Sequence, residues 1–148
     1  MAVADLEALG DICRRHGVPA AVDNTFASPA LCNPVRFGFD FVLHSSTKYL
    51  GGHHDHVGGV IACSDDGRSA LRDLVIDTGG TMAPFEAWLA MRGIMTLGLR
   101  MERHCATALR IATEIERHPK VERVHYPGSR RTRITTSRPA CSPRARAG

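Results

Sequence analysis

The stretch HSSTKYLGGH, residues 44–53, is the part of the sequence around which the rest is organised. It follows a short apolar run that is typical of a buried strand. Two hydroxyl residues, Ser45 and Thr47, precede Lys48, and two glycines follow soon after it. The chain contains only two lysines, Lys48 and Lys120, against seventeen arginines. Because lysine, unlike arginine, can lose its proton and form a Schiff base with a carbonyl group, Lys48 is a candidate for a chemical role.

A carboxylate stands at the end of another apolar run. Asp23 follows residues 19–22 and precedes Lys48 by twenty-five positions. Open α/β sheets bind ligands at the carboxyl ends of their strands, so both side chains are expected at one edge of a sheet. A Schiff-base lysine, together with an acid that keeps a pyridine nitrogen protonated, is what a protein contributes to pyridoxal 5'-phosphate chemistry. Ser45 and Thr47 fall on one side of an extended segment, where they can donate hydrogen bonds to a phosphate.

Four ordered stretches of this sequence resemble the cystathionine γ-synthase / cystathionine γ-lyase / methionine γ-lyase family, the pyridoxal-phosphate-dependent enzymes of Cys/Met metabolism. They are VDNTFASPALCNP (22–34), HSSTKYLGGHHD (44–55), APFEAWLAMRGIMTLGLRMERHC (83–105) and VHYPG (124–128). The resemblance covers about residues 3–128. Four matches in order, at plausible spacing, are far more specific than a single motif.

The resemblance implies a role for each candidate residue. Lys48 forms the Schiff base with pyridoxal 5'-phosphate and then moves protons at the α and β carbons of the substrate. Asp23 pairs with the pyridine nitrogen, Ser45 and Thr47 hold the phosphate, and Thr25 lies near the cofactor. The implied substrates are small sulfur amino acids and their precursors: cystathionine, homoserine esters or methionine. Synthases, lyases and sulfhydrylases share these motifs, so the reaction stays open between γ-elimination, γ-replacement and β-elimination.

The implied fold is the α/β fold of type I pyridoxal-phosphate-dependent transferases, a mostly parallel sheet flanked by helices, here truncated at both ends. Residues 1–80 are expected to form the C-terminal part of the large cofactor domain. Residues 81–128 are expected to form bridging helices and the start of the C-terminal domain. The arginine-rich segment 129–148 does not match the family and is predicted to be a disordered tail, which we interpret as the product of a reading-frame shift near Gly128.

Periodicity predicts the individual elements within this fold. Helices are expected at 5–16 and 68–76, and two further helices from residue 84 to residue 117, meeting near Gly98. Strands are expected at 20–22, 39–44 and 57–63, with a weaker one at 121–126. Residues 64–67 are predicted to be a turn. The side chains predicted to face the core include Leu6, Leu9, Ile12, Cys13, Leu71, Leu74, Val75, Met91, Met95 and Met101.

A catalytically inactive fragment is the alternative to an active enzyme. The family's cofactor-stacking tyrosine, its glycine-containing phosphate loop and its substrate-carboxylate arginine have no counterpart in this sequence. The family forms homotetramers, but its interfaces draw on the same unmatched portions, so a tetramer is not assigned to this chain.

Charge and composition narrow the possible partners. The tail holds six arginines and no acid, whereas the preceding 128 residues carry thirteen basic and fifteen acidic groups, a net charge of −2. Nucleic-acid binding through the tail is a third possibility, but no aromatic residue lies among the arginines, and we predict no nucleic-acid partner. No apolar run is long enough for a membrane span, and residues 1–11 do not read as a signal peptide. Five widely spaced cysteines indicate a reduced, cytoplasmic protein.

The run from His53 to His56 contains three histidines and Asp55, and it invites a metal hypothesis. Ligands this contiguous rarely close one tetrahedral site unaided, and the family carries a similar motif without metal. No metal is therefore predicted.

Overall fold

A three-stranded sheet and five α-helices make up the computed structural model, which describes residues 3–128. The predicted disordered tail, residues 129–148, lies outside the described residues. The helices are Leu6–His16 (α1), Ser28–Leu31 (α2), Asp65–Thr78 (α3), Pro84–Ile94 (α4) and Leu97–Glu116 (α5). The strands are Ala21–Asp23 (β1), Phe41–Ser45 (β2) and Gly59–Cys63 (β3); a 3₁₀ turn spans Pro34–Phe37, and one turn of π-helix spans Ser46–Leu50.

The described chain divides into two compact units. Residues 6–98 form one of them, which contains the whole sheet and the helices α1 to α4. Residues 3–5 and 99–128 belong to the other, which contains most of α5. All five candidate site residues therefore lie within the first unit.

The sheet is mixed, with the strand order β1-β2-β3. β1 and β2 are parallel, as the implied fold predicts, and Asp23 pairs with Leu43. β3 runs antiparallel to β2, with Ser45 opposite Gly59. The segment between β2 and β3 contains only the π-helical turn and a loop, so the chain doubles back instead of crossing over the sheet. The predicted parallel arrangement thus holds for β1 and β2, and β3 departs from it.

The core of the first unit lies between the sheet and α1. Ala20, Phe39 and Val42 are buried, and Leu6 and Cys13 of α1 pack against them. Two residues on the same predicted face of α1, Leu9 and Ile12, are each 43% exposed, so the buried stripe of α1 is narrower than predicted.

The predicted turn at residues 64–67 is instead the start of α3. Ser64 is the N-cap, and its side-chain oxygen accepts a hydrogen bond from the Gly67 N–H. Asp65 and Asp66 occupy the first turn of the helix, where negative charge is favourable. The helix ends at Thr78, and the following residue, Gly79, has a left-handed φ of 66°. Leu74, predicted to face inward, is 58% exposed.

The helices near the C-terminal side of the described chain agree with prediction only in part. α4 ends at Ile94 and α5 begins at Leu97, so the two helices meet near Gly98, as predicted. Met101 is buried as predicted, whereas Met91 and Met95 are 68% and 84% exposed. Residues 121–126 form no strand. Within residues 3–128, no helix is long and apolar enough to cross a membrane.

Candidate functional site

The candidate residues follow the ends of two neighbouring parallel strands. Asp23 is the last residue of β1, and Ser45 is the last residue of β2. Because parallel strands end at the same edge of a sheet, Asp23 and Ser45 lie at one edge. Lys48 follows three residues after Ser45, in the π-helical turn, and its side chain is exposed.

Thr25 joins the two strand ends. Its backbone N–H donates to Asp23 Oδ1 at 2.9 Å. Its side-chain Oγ1 accepts a hydrogen bond from the Ser45 N–H at 2.7 Å. Thr25 itself is buried, and both hydrogen bonds are partly buried. The resemblance placed Thr25 near the cofactor, and the structure adds a second task, which is to link the chain after β1 to the end of β2.

The charge of Asp23 is stabilised by these contacts. Hydrogen bonds from the Thr25 side chain and then from its backbone N–H hold the pKa of Asp23 below its ordinary value, and the nearby His44 acts in the same direction. Burial is the weaker, opposing influence. Asp23 is therefore an exposed, anionic carboxylate across the neutral pH range, as is required of a group that accepts a proton or a hydrogen bond from a cationic ligand nitrogen.

His44 is a buried neighbour of this carboxylate that the sequence did not single out. Burial lowers the pKa of His44, although the negative charge of Asp23 partly opposes that shift. His44 Nδ1 is buried and has no hydrogen-bond partner within the described residues. Alternation along β2 places His44 on the same face as the buried Val42, and this periodicity was the signal available in the sequence.

The turn that carries Lys48 is tied at both of its ends. The Ser46 N–H donates to the Gly58 carbonyl at 2.9 Å, and the Ser46 carbonyl accepts from the Gly51 N–H at 2.8 Å. The Gly52 N–H donates to the Lys48 carbonyl at 2.8 Å. Lys48 itself departs from helical dihedral angles, with φ −86° and ψ −120°.

Helix α4 packs directly onto this turn through a glycine. A Cβ atom added at Gly93 would overlap the carbonyl oxygen of Gly51 and would lie 2.7 Å from the carbonyl oxygen of Leu50. Gly58 is similarly confined, because a Cβ there would lie 2.9 Å from Ser46 Oγ. The atoms nearest to Gly58 belong to two side chains, those of Met82 and Ser46, so a larger residue at this position would crowd both Met82 and the start of the lysine turn.

The hydroxyl groups of Ser45 and Thr47, the two candidate phosphate ligands, differ in the hydrogen bonds that they already make. Thr47 Oγ1 accepts from the Gly58 N–H at 3.0 Å and donates to the Gly58 carbonyl at 3.4 Å. The second of these hydrogen bonds is long, so the Thr47 proton can be redirected to an anion while the first is kept. Within the described residues, the Ser45 hydroxyl makes no hydrogen bond, whereas the backbone N–H of the same residue donates to Thr25 Oγ1.

No metal site is formed around the histidine run in the part of the chain that the structure describes. No group of three or more His, Cys, Asp or Glu side chains is placed to hold a metal ion there. His53 Nδ1 lies 2.7 Å from the Gly51 carbonyl, and His54 is exposed. His56 is buried and contacts Ser46, a contact that reading the sequence did not predict.

Comparison with known proteins identifies the class of fold. The structure matches the crystal structure of cystathionine gamma-lyase from Lactobacillus plantarum complexed with L-serine, with a TM-score of 0.85 and 36% sequence identity. The match covers 90% of this chain and 35% of that chain. The fold is therefore part of the α/β fold of a pyridoxal-phosphate-dependent enzyme, as predicted.

The chain belongs to the Cys/Met metabolism PLP-dependent enzyme family, whose sequence profile matches residues 1–135. It is 44% identical over 128 residues to cystathionine beta-lyase of Coxiella burnetii and 48% identical over 128 residues to cystathionine gamma-lyase of Bacillus subtilis. It is 45% identical over 130 residues to L-methionine gamma-lyase of Pseudomonas putida. These matches cover 85%, 86% and 86% of this chain, which spans about a third of the length of each relative (33%, 34% and 33%).

The residues at the strand ends fit the cofactor of this family in their donor chemistry. An exposed carboxylate with a lowered pKa suits a pyridinium nitrogen, and Asp23 is such a group. An exposed primary amine suits an aldehyde, and Lys48 makes no ion pair with any described residue. A free hydroxyl and a redirectable one, at Ser45 and Thr47, suit a phosphate.

Proposed function

We propose that this chain provides the lysine-bearing part of a pyridoxal 5'-phosphate site and that the protein acts on small sulfur amino acids. The proposed reactions are γ-elimination, γ-replacement or β-elimination on cystathionine, homoserine esters or methionine. The observation that carries the proposal is the hydrogen bond from the Ser45 N–H to Thr25 Oγ1. This bond joins the loop that follows Asp23 to the end of β2, the strand that leads directly to Lys48. Family membership and the names of the relatives support the substrate class.

Lys48 and Asp23 have proposed roles in the chemistry itself. Lys48 would hold the cofactor through its primary amine and, once that amine is free, would hold and return a proton at the α carbon of the substrate. Asp23 remains anionic and pairs with the ring nitrogen. When bound there, the cofactor supplies an electron sink that stabilises negative charge at that carbon.

The remaining residues bind and orient. Ser45 and Thr47 donate hydrogen bonds to the phosphate, and Thr25 keeps the acid and the lysine turn in register beside the ring. We also propose a cytoplasmic location and no metal or nucleic-acid partner. The four cysteines within residues 3–128 are free thiols, which agrees with a reducing compartment.

Trapping with borohydride tests the cofactor site. Pyridoxal 5'-phosphate is added to the full chain, the visible absorbance is recorded, and the mixture is reduced and mapped by peptide mass spectrometry. We expect a visible band and a label on Lys48. The Lys48→Ala variant should lose both completely, whereas Lys120→Ala, which removes the only other lysine, should keep both.

The outcomes separate the proposed function from its alternatives. Equal labelling of Lys48 and Lys120 would mean that the amine reacts without a site, and the proposal would then be wrong. A specific band at Lys48 without turnover of cystathionine, homoserine esters or methionine would identify the chain as a catalytically inactive fragment that keeps its cofactor site.

A further inference from the structure

His56 is a buried histidine to which the proposed chemistry gives no task. Its side chain is 1% exposed. On one side, Nε2 lies 3.1 Å from the hydroxyl of Ser46, which is fully buried. On the other side, Nδ1 lies 3.6 Å from Asp55 Oδ1. The separation of 3.6 Å is too long for a hydrogen bond, so the hydrogen bond of the His56 ring is the one with Ser46.

The order of groups from Asp55 through His56 to Ser46 resembles that of an acid–imidazole–hydroxyl catalytic triad. A nucleophile must reach its substrate, however, and Ser46 has no exposed surface. The three groups therefore do not form a second reaction centre. They instead affect the conformation of the backbone segment that contains Ser46.

That backbone is the start of the lysine turn. The Ser46 N–H is bonded to the Gly58 carbonyl, and the Ser46 carbonyl is bonded to the Gly51 N–H, so Ser46 connects the turn to the segment that leads into β3. The His56 ring also occupies the space beside Gly51, where an added Cβ atom would overlap it. A single imidazole thus contacts both the beginning and the end of the turn that carries Lys48.

We propose that His56 is a positioning residue for Lys48 and that it acts through its hydrogen bond to Ser46 and its packing on Gly51. The importance of the position of Lys48 rests on the proposed function. The contacts themselves do not depend on any ligand, so the inference can be tested in the full chain without cofactor.

Hydrogen exchange of single backbone amides measures how firmly the turn is held. The Gly51 and Gly52 amides report on the turn, and the Asn24 amide, bonded to the Leu43 carbonyl at 2.8 Å, reports on the sheet. In His56→Leu and Ser46→Ala, we expect exchange at Gly51 and Gly52 to become roughly tenfold faster relative to Asn24, since each variant removes one buried hydrogen bond.

Two further variants provide the rescue and the control. His56→Gln keeps a hydrogen-bonding group near the place of Nε2 and should restore most of the protection. His54→Asn changes an exposed histidine of the same loop, at a left-handed φ of 58° that asparagine tolerates, and should leave exchange at Gly51 unchanged.

Two results would overturn the inference. One is wild-type exchange at Gly51 and Gly52 in both Ser46→Ala and His56→Leu. The other is an equal acceleration at Asn24, because His56 would then stabilise the whole unit and not the turn. If His56→Leu does not fold, Ser46→Ala and the degree of rescue by His56→Gln decide the question in the same way.

A titration with pyridoxal 5'-phosphate then separates this inference from the proposed function. If the wild-type chain shows the Lys48 band, Ser46→Ala should need about tenfold more cofactor to reach half of it, in line with its faster exchange. If the wild-type chain showed no Lys48 band, the proposed function would be contradicted. The exchange result for His56 would still hold, because it does not depend on the cofactor. If both the cofactor titration and the amide exchange were unchanged in Ser46→Ala, the proposed role of His56 would be wrong and the proposed function would not be affected.

Discussion

The two loops that carry the candidate chemistry are stabilised in different ways. The acid loop, residues 23–28, is organised by Thr25, which donates a hydrogen bond to the exposed carboxylate of Asp23 and accepts one from the Ser45 N–H at the end of the neighbouring strand. The lysine loop, residues 45–58, is organised by glycines that allow backbone atoms and the buried His56 to come close. The difference suggests that the acid loop maintains a charge, whereas the lysine loop maintains a position.

Each loop also contains a non-glycine residue in the left-handed region. Ser28 and His54 both have φ of 58°. Ser28 is fully buried, and its Oγ accepts a hydrogen bond from the Ala30 N–H at 3.3 Å, while His54 is exposed. Such a conformation costs about 1–3 kcal/mol and persists only where the surroundings impose it. The acid loop therefore also depends on tight packing, at its far end from Asp23.

The largest effect is expected where α4 meets the lysine loop. Gly93→Ala places a methyl group against the carbonyl oxygens of Gly51 and Leu50, which are backbone atoms and cannot move aside cheaply. We expect a loss of about 1–3 kcal/mol in the free energy of unfolding, measured by urea denaturation.

Gly98→Ala is the matched control for this substitution. An added Cβ atom at Gly98 has no neighbour within 4 Å, and the residue lies in α5. Alanine there should be neutral or stabilising by about 0.5–1 kcal/mol, because alanine is the better helix former. Equal losses in the two variants would show that helix effects, and not the contact with the lysine loop, decide the outcome.

A smaller loss in the free energy of unfolding is expected for a substitution in the acid loop. Thr25→Val keeps the shape of the side chain but leaves the Ser45 N–H without its acceptor and Asp23 without one donor. We expect about 1–2 kcal/mol of destabilisation, the usual cost of an unsatisfied buried donor. The pKa of Asp23 should rise toward its ordinary value, which NMR titration of the carboxyl group measures.

Thr113→Val controls for the loss of a threonine hydroxyl in general. The Thr113 hydroxyl donates only to the Leu109 carbonyl of its own helix, at an exposed position. It should change stability little and leave the titration of Asp23 unaltered. If the pKa of Asp23 stayed the same in Thr25→Val, the acid loop would not be what maintains the charge of Asp23. The contrast drawn with the lysine loop would then be wrong.

The smallest expected effect is on the pH dependence of the free energy of unfolding. Because burial lowers the pKa of His44, the unfolded chain binds a proton at this residue more readily than the folded chain does. The stabilisation from neutral His44 is complete above the ordinary histidine pKa of about 6.5, and it is lost progressively as the pH falls below that value. His44→Gln should therefore reduce the change in unfolding free energy between pH 7 and pH 5.

His16→Gln, at an exposed position in α1, is the comparison for this experiment. Its pH profile should follow that of the wild-type chain. If His44→Gln and the wild-type chain lose stability in parallel on acidification, His44 does not contribute to the pH dependence.

The sequence alone determined the family, the fold class and the strands that lead to the candidate residues. Short apolar runs place Asp23 and Ser45 at strand ends, and Lys48 stands out as one of only two lysines. The strand ends and the rarity of lysine are local features that periodicity and composition detect, whereas the family and the fold class followed from the resemblance of four ordered stretches. The roles of Asp23, Thr25, Ser45, Thr47 and Lys48 stay predictions that the cofactor experiment tests.

Some elements were predicted wrongly because a local pattern fitted two structures. Ser64 and the following acids fit a turn as well as a helix start, and the hydrogen bond from the Gly67 N–H decided for the helix. α4 is apolar nearly all round, so its sequence does not say which face is covered. Met91 was therefore predicted to be buried and is exposed.

Only the tertiary structure decided which residues support the candidate site. The bond between Thr25 and Ser45 joins positions twenty residues apart, and it exists because β1 and β2 are in one particular parallel register. The contact of His56 with Ser46 likewise depends on the chain turning back into β3. Periodicity describes neighbours along an element, whereas these contacts follow from register and close backbone packing, which the order of residues does not specify by itself.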